Sequence, residues 1–435
     1  MLIPAPRLLK TTALLVVASI AVSIWPALLG PWIAAAIALA VVALLDAREA
    51  RRLPAPAVER IVSGSLPLGV RQEVTLRASN RAARVCTVAL QDHCPEGMDA
   101  EGLPIRLRVA AGGWGGQRYA IRPVRRGELR FDAVSVRMTS RLGLWQAQHR
   151  IALESTVRVY PNFAALTKYA LLATDNRLSQ IGVLQRRRRG EGLDFHQLRE
   201  YREGDSPRQI DWKATARMRK LVSREYQDER DQQVVLLLDC GRRMGAQDGE
   251  LAHFDHALNA ALLLAYVSLR QGDAVGLMTM AGPARWLPPR KSRATIDLLL
   301  NAVYDLQPTL SATDYYVAAM ELMKRLRKRA LIVIVTNMRD EDDDSITPAL
   351  RLLQQRHLVV LASLREASLG RVLHAPVEAL DDALTHAATA DYLRQRDRAF
   401  QRIATAGAQC FDVEPQQLPI TLVNRYLDIK RAGRL

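Results

Sequence analysis

The chain has 435 residues, of which 49% are hydrophobic and 5% aromatic, so it can form two or three domains with cores of leucine, valine and alanine. A formal charge of +16 and a pI near 10.1 indicate an anionic partner or surface. The four cysteines show no CxxC motif and no framework spacing, which excludes a disulfide-stapled domain and predicts reduced thiols in the cytosol.

Two apolar segments dominate the first fifty residues. Residues 27–45 carry no charge and meet the roughly 17–20 residues that a bilayer span needs. Residues 13–25 reach that length only with the flanking Thr11, Thr12 and Pro26. Basic residues flank the pair: Arg7, Lys10, Arg48, Arg51 and Arg52. The apolar pair predicts a transmembrane helical hairpin over residues 1–50, and the positive-inside rule places both of its ends in the cytoplasm. The alternative is a cleavable signal peptide, which would still leave the second segment as an anchor.

Residues 54–162 have the alternation of apolar and polar residues that is typical of half-buried strands. The predicted strands are 70–79, 84–92, 105–111, 117–124 and 129–138. Several short strands at about ten-residue spacing predict a β-sandwich domain of immunoglobulin-like type. Nothing in this region resembles a catalytic cluster.

Residues 163–232 form a polar connector, and an alternation of strands and helices follows over residues 233–435. The predicted strands are 233–239, 274–280, 330–336, 357–363 and 409–413, each rich in Val, Ile or Leu. Strands that are buried on both faces and separated by helices predict a parallel, doubly wound α/β sheet. The chain is therefore expected to be multidomain.

The connector contains a four-arginine run at residues 186–189. The run could bind nucleic acid through phosphates, attract anionic lipid, or be a solvated loop. Further along, Asp205 or Ser206 is predicted to cap a short helix that starts at Pro207. Arg208 and Asp211 are predicted to pair on one face of that helix.

The start of the α/β region resembles a von Willebrand factor A-type domain. In that family the first strand runs into Asp-x-Ser-x-Ser, and a later threonine and a further aspartate help to hold a divalent cation. Asp239 and Thr313 match this pattern, but Gly241 and Arg243 replace the two serines and Asn337 replaces the further aspartate. Magnesium needs about six hard oxygens, so we expect neither a metal nor any other cofactor. Arg243 could substitute for the ion by pairing with Asp239, or be solvated.

Two other clusters could suggest metal sites. Asp340 to Asp344 follow a strand and precede a helix, so an N-terminal capping run is the favoured interpretation. His253 and His256 lie three apart at a helix start, but no third ligand is evident nearby in the sequence.

Residues 190–217 resemble the signature of the domain of unknown function 58 family. The matching residues we assign to interaction are Gly190, Gly192, Phe195, Arg199, Tyr201, Gly204, Asp205, Arg208, Asp211, Trp212, Lys213 and Arg217. The resemblance implies a bacterial inner-membrane protein of undefined biochemistry that is associated with MoxR-type AAA+ ATPases.

Together these patterns favour a non-enzymatic, membrane-anchored adaptor that works with such an ATPase on a client protein. A membrane-anchored nucleic-acid-binding protein is the alternative, although no specific nucleic-acid motif is present. An enzyme that uses Asp205 and Asp211 is a third hypothesis, disfavoured because neighbouring cations would keep both carboxylates ionised. We further expect the signature to clamp the β domain against the α/β domain, with Trp212 as its apolar anchor.

Overall fold

The first fifty residues form two long helices joined by a 3-10 turn. Helix α1 spans Pro6–Ile24 and helix α2 spans Leu29–Arg51, with the turn at Pro26–Leu28. By length and composition, both are apolar enough to cross a membrane, and almost none of either apolar stretch is buried in the protein. Trp32 Nε1 donates to the Leu15 carbonyl at 3.0 Å, which ties the two helices together. The predicted pair of apolar helices is confirmed.

The computed structural model describes residues 1–162, 194–202, 207–227, 232–249, 251–292 and 294–433. These residues divide into two units, Met1–Tyr160 and Pro161–Leu435. Each unit is described by itself below.

The first unit holds two β-sheets. Its strands are β1 Leu2–Pro4, β2 Val58–Ile61, β3 Ser65–Pro67, β4 Gln72–Ser79, β5 Cys86–Asp92, β6 Met98–Glu101, β7 Ile105–Val109, β8 Trp114–Pro123, β9 Gly127–Thr139 and β10 Trp145–Tyr160. One sheet has the order β1-β10-β9-β5-β7 with β3 beside β10, and the other has the order β2-β4-β8-β6. The five predicted strands correspond to β4, β5, β7, β8 and β9. The immunoglobulin-like assignment stays a prediction.

Strand β10 was not predicted, although it is the longest strand in the unit. It pairs with β9 along its length, but the register shifts between Ala152 and Ser155. A bulge of this kind adds a residue to one strand. The odd-numbered side chains from His149 to Val159 are nevertheless the less exposed ones, so the alternation continues through the bulge. The polar residues His149 and Ser155 occupy two of these positions, so the apolar pattern is weaker than in the predicted strands.

Both ends of the helical hairpin are attached to the same sheet of the first unit. Before α1, strand β1 pairs antiparallel with β10, with Leu2 opposite Ala147. At the end of α2, the buried Asp46 accepts hydrogen bonds from Ser140 Oγ at 2.5 Å and from the backbone N–H groups of Leu142 and Leu144. The two ends of the hairpin therefore lie on one side of it.

The second unit begins with a two-stranded sheet and continues into a six-stranded one. In chain order its strands are β11 Asp194–Glu200, β12 Val222–Gln227, β13 Gln233–Asp239, β14 Gln247–Asp248, β15 Leu251–Ala252, β16 Ala274–Met280, β17 Trp286–Arg290, β18 Leu331–Thr336, β19 Leu358–Leu364 and β20 Gln409–Val413. Its helices are α3 Trp212–Met218, α4 His253–Arg270, α5 Thr295–Val303, α6 Tyr315–Arg325, α7 Asp343–Gln354, α8 Ala367–His374, α9 Leu380–Thr405 and α10 Leu418–Arg431.

The six-stranded sheet has the order β17-β16-β13-β18-β19-β20. All neighbouring pairs are parallel except β16 with β17. Val234 and Leu236 of β13 face a core with α4, α5 and α10, whereas Val235 and Leu237 face a core with α6, α7 and α9. The predicted doubly wound parallel sheet is confirmed, and the antiparallel edge strand β17 is an addition.

The connections from β13 lead first to β16 on one side and later to β18 on the other. Such a reversal creates a crevice beyond the carboxyl ends of the two central strands, where open α/β sheets bind ligands. Asp239 ends β13 and Thr336 ends β18.

Candidate functional site at the carboxyl edge of the sheet

Asp239 is buried at the end of β13 and is fully occupied by neutral donors. Its Oδ1 accepts from the Gly241 N–H at 2.8 Å and from Thr313 Oγ1 at 2.6 Å, while its Oδ2 accepts from Thr336 Oγ1 at 2.5 Å. Burial raises the pKa of Asp239, and the hydrogen bonds from Thr313, Thr336 and Gly241 oppose that rise. The carboxylate is thus satisfied within its own chain.

Gly241 is required by the position of the Thr313 side chain. A Cβ atom on Gly241 would collide with Thr313 Oγ1 and lie 3.0 Å from Asp239 Oδ1. The residue that replaces the first serine of the metal-binding pattern therefore makes room for the threonine hydroxyl. Thr313 occupies space beside the carboxylate that a serine at position 241 would need.

Thr336 and Tyr315 extend this hydrogen-bonded chain, and the sequence analysis did not identify either as part of the site. The Tyr315 hydroxyl lies 2.8 Å from Thr336 Oγ1, and both side chains are buried. Burial raises the pKa of Tyr315 well above its ordinary value, so the residue stays a neutral phenol. The available signal was positional, because Thr336 ends the strand beside β13 and Tyr315 opens the helix after Thr313.

Arg243 pairs with the acidic segment after β18, and in the described part of the chain its ion pairs are not with Asp239. Its Nη2 lies 3.0 Å from Glu341 Oε2, and its Nη1 contacts Asp342 Oδ2. The side chain is 17% exposed, so the solvated-loop interpretation is also wrong. The acidic run lies at the start of α7 as predicted, and Asp342 is the N-cap residue, but the Asp342 side chain makes no capping bond there. Its carboxylate instead accepts from Arg243 and from the Arg339 N–H at 2.9 Å.

Asn337 belongs to a different buried network. Its Nδ2 donates to Glu366 Oε1 at 3.0 Å and lies 3.3 Å from His253 Nδ1. Its Oδ1 accepts from Arg396, a 1% exposed arginine that also binds both carboxylate oxygens of Asp412. Among the described residues, no group of three His, Cys, Asp or Glu side chains is placed to hold a metal ion.

Two cavities meet at this edge of the sheet. A small one of about 40 Å³ is lined by Asp239, Arg242, Arg243, Ser311, Ala312, Thr313, Tyr315 and Asp342. This volume holds a water or two and is far below the roughly 300–1,000 Å³ of ordinary small-molecule sites. A wider, open groove of about 470 Å³ is lined by Arg242, Arg243, Gly245, Ala246, Arg339 and Glu341. The edge therefore combines a cavity of about the size of one or two waters with an open groove that three arginines line.

The signature residues lie on the β11–α3–β12 segment or outside the described residues. Gly190, Gly192, Gly204 and Asp205 are outside, and so is Ser206, the other predicted cap. Phe195 lies in β11 and Arg208 in the 3-10 turn Pro207–Gln209. Arg199 lies in β11, which pairs antiparallel with β12. Just after β11, the Tyr201 N–H donates to the Leu221 carbonyl at 2.9 Å, so the β11–β12 segment closes as a hairpin. Lys213 and Arg217 are exposed on α3.

Asp211 caps α3, which begins at Trp212 and not at the predicted Pro207. Its carboxylate accepts from the Lys213 and Ala214 N–H groups at 3.0 Å each and pairs with Arg224 at 2.8 Å. The Ala214 N–H and the Arg224 guanidinium lower the pKa of Asp211. Trp212 is 67% exposed, so the predicted apolar anchor is not in a core. The predicted clamp concerns the arrangement of the two units and stays a prediction.

Comparison with known proteins finds a family match within the second unit. Residues 197–407 match the family model described as "Protein of unknown function DUF58". The predicted family resemblance is confirmed over that range. The "Uncharacterized protein YeaD" of Bacillus subtilis (strain 168) is 23% identical over 268 residues, which are 60% of this chain and 62% of that protein. The chain thus spans less than two thirds of this relative's length.

Solved structures give weaker similarities. The crystal structure of an aerotolerance-related membrane protein from Bacteroides fragilis NCTC 9343 is 16% identical, with a TM-score of 0.30 over 46% of this chain and 99% of that chain. A FixG-related protein from Vibrio parahaemolyticus is 12% identical, with a TM-score of 0.18 over 24% of this chain and 97% of that chain. Scores this low do not establish a shared fold.

Proposed function

We propose that this protein is a non-enzymatic, membrane-anchored adaptor that works with a MoxR-type AAA+ ATPase in the assembly or maturation of a client protein. Its soluble units would lie in the cytoplasm at the bacterial inner membrane, next to an anionic lipid surface and without a specific nucleic-acid ligand. The second unit would be a von Willebrand factor A-like domain with a degenerate metal site.

The observation that carries the proposal is the internal satisfaction of Asp239. The switch point of an open α/β sheet is the usual place for ligand chemistry. Here the carboxylate at that point is held by Gly241, Thr313 and Thr336, and the adjoining cavity is too small for a substrate. A general acid or base must reach the proton that it transfers, and a nucleophile must reach its target. The enclosed carboxylate of Asp239 can reach neither a substrate proton nor a substrate atom to attack, which favours a binding role for this edge.

The attachment of the hairpin supports the anchoring part of the proposal. Strand β1 and Asp46 bond to the same sheet from the two ends of the apolar pair. An anchor that is attached at two points restricts the orientation of the first unit at the membrane surface. A protein that presents a partner to a membrane-bound client needs such a restriction.

The adaptor proposal is tested by crosslinking in native membranes. The chain carries a C-terminal affinity tag, and the captured proteins are compared with those from membranes that contain the tag alone. We expect a MoxR-type ATPase to be enriched, more strongly in the presence of a non-hydrolysable ATP analogue. Equal recovery from the two samples would contradict the adaptor role. Protease added to sealed spheroplasts and to inverted vesicles tests the orientation, since only inverted vesicles should expose the region after Leu45.

A further inference from the structure

Two arginines in the open groove at the carboxyl edge have donor groups that the described residues leave unused. The exposed Arg242 is fixed by its backbone N–H, which donates to the Ser311 carbonyl at 3.0 Å, and its side chain has no acceptor within the described ranges. On Arg339, Nε is buried and lacks a hydrogen-bond partner there, and Nη2 is 3.9 Å from Glu366. Buried donors are normally satisfied, and those of charged groups most strongly.

Arg243, the third arginine of the groove, is already neutralised. Glu341 and Asp342 both pair with it, and its side chain is 17% exposed. By contrast, Arg242 has no ion pair among the described residues, and the guanidinium of Arg339 is held by a long 3.9 Å pair with Glu366 and a contact with the Tyr392 ring. A guanidinium offers a planar set of donors that matches a carboxylate, so a carboxylate is the ligand group that fits best.

Apolar side chains border the same edge. Leu310 is 95% exposed and precedes Ser311, whose carbonyl holds Arg242. Val317 is 54% exposed and Tyr316 is 42% exposed in the first turn of α6. These side chains lie next to the Ser311 segment that holds Arg242 and do not line the groove itself, and arginine and aromatic residues are enriched at protein-binding surfaces.

We propose that the groove of Arg242 and Arg339 binds an acidic side chain of a partner protein, with an apolar neighbour of that side chain packing on Leu310 and Val317. The inference deepens the adaptor proposal and rests on it for the identity of the partner, which would be the ATPase. The recognition itself is direct, from guanidinium to carboxylate, without a bridging ion.

The chemistry is tested first with a peptide and the full chain in uncharged detergent micelles. The probe is a short fluorescein-labelled peptide with a central Glu-Leu-Glu, and its control has Gln-Leu-Gln. We expect saturable anisotropy for the glutamate peptide and at least about tenfold weaker binding of the glutamine peptide. The double variant Arg242→Gln/Arg339→Gln should lose at least about tenfold in affinity for the glutamate peptide, as expected for charge-assisted bonds.

Arg327→Gln is the matched control, because Arg327 is exposed near the opposite end of the sheet, just before β18. It should change the affinity less than about twofold. Equal losses in Arg327→Gln and the double variant would overturn the proposal, as would equal binding of the two peptides. Duplex DNA and anionic vesicles are titrated in parallel. If the double variant weakens either of them more than the glutamate peptide, the occupant is a nucleic acid or a membrane and the proposal is wrong.

The ATPase then separates this inference from the adaptor proposal. Capture of the ATPase by the wild type but not by the double variant supports both. Equal capture by the two chains contradicts the groove and leaves the adaptor role standing. If neither chain captures the ATPase while the glutamate peptide still distinguishes them, the adaptor proposal fails and the groove is supported. An unchanged melting temperature of the double variant shows that it is folded.

Discussion

Thr313 Oγ1 lies 2.6 Å from Asp239 Oδ1, in space that a side chain at position 241 would need. Two residues from distant parts of the chain thus depend on the absence of a third side chain. At the carboxyl edge of the sheet, the Asp239 carboxylate is held by the hydroxyl groups of Thr313 and Thr336.

Gly241→Ala tests this dependence. The added Cβ must displace the Thr313 hydroxyl, and overpacking of this kind costs about 1–3 kcal/mol of unfolding free energy. In the double variant Gly241→Ala/Thr313→Ala the collision is gone, so the two losses should not add, with a coupling of about 0.5–3 kcal/mol. Thermal unfolding of the four chains gives the cycle. Gly245→Ala is the control, since its Cβ would make an ordinary contact at 3.7 Å with Pro308. Additive losses would refute the steric account.

Magnesium should not stabilise the protein. The oxygens of Asp239 are taken by its own neighbours, and Arg243 brings a guanidinium to Asp342. Millimolar magnesium should therefore leave the melting temperature of the detergent-solubilised chain unchanged. A saturable increase that disappears in Asp239→Ala would show that a cation does bind there.

Asp46→Ala should loosen the attachment of α2 to the β9–β10 turn. The substitution leaves the Leu142 and Leu144 N–H groups without an acceptor, at a cost of about 1–3 kcal/mol each when buried. Arg141 lies in this turn, so trypsin cleavage after it should accelerate at least about tenfold. Glu49→Ala is the matched control, because Glu49 is 40% exposed and makes only a 3.5 Å pair with Arg84. Equal cleavage of the two variants would contradict the attachment.

His357 should make the second unit sensitive to acid. The residue is buried before β19, neither ring nitrogen has a hydrogen-bond partner among the described residues, and burial lowers its pKa from 6.5 to about 4. The unfolded chain therefore binds the proton more tightly, and stability is lost as the pH falls from about 6.5 towards 4. Each pKa unit is worth about 1.4 kcal/mol.

His357→Leu removes the titration and keeps an apolar side chain of similar size. The difference in melting temperature, variant minus wild type, should therefore increase as the pH is lowered from 7.5 to 5. Gln355→Leu, at an exposed position that does not titrate, should show no such trend. A constant difference between His357→Leu and wild type across this range would exclude His357 as the cause.

Trp212→Ala should separate stability from partner binding. With 67% of its surface exposed, Trp212 contributes little to a core, so its loss should cost well below the roughly 3–5 kcal/mol of a buried tryptophan. Capture of the ATPase should fall, because exposed tryptophans are frequent binding hot spots. Trp114→Ala, at a 59% exposed tryptophan of the first unit, is the control. A large drop in melting temperature without a change in capture would make Trp212 a structural residue.

The strands and helices were predictable where burial is uniform along an element. The run Gln233–Asp239 is apolar because both of its faces are covered by helices, and that pattern is local. Strand β10 was missed because the polar residues His149 and Ser155 occupy two of its less exposed positions, which weakens the apolar pattern. Arg60 shows another limit, since its charge suggests an exposed position. Its side chain is instead fully buried and forms an ion pair at 2.6 Å with Asp92, which lies 32 positions further along the chain.

The site was predictable only in part for the same reason. Asp239 could be identified from its place at the end of an apolar strand. The partners of Arg243 lie about a hundred positions away, and nothing in the spacing distinguishes Glu341 and Asp342 from Asp239 as its acceptor. The position of Asn337 in a network with Arg396 depends on the packing of α9, which the sequence does not specify locally.

The pairing of Leu2 with Ala147 imposes an order on biosynthesis. At about 5–20 residues per second, the ribosome needs roughly 7–30 seconds to make the partner of the first strand. The apolar helices emerge long before that time, so in the proposed membrane-anchored protein their insertion would precede completion of the sheet. Only a hairpin that has entered the bilayer with both ends on the same side can bring Leu2 to the edge of β10. A chain with one inserted helix would keep an unpaired strand edge, so in the proposed membrane-anchored protein formation of this sheet would act as a check on correct insertion.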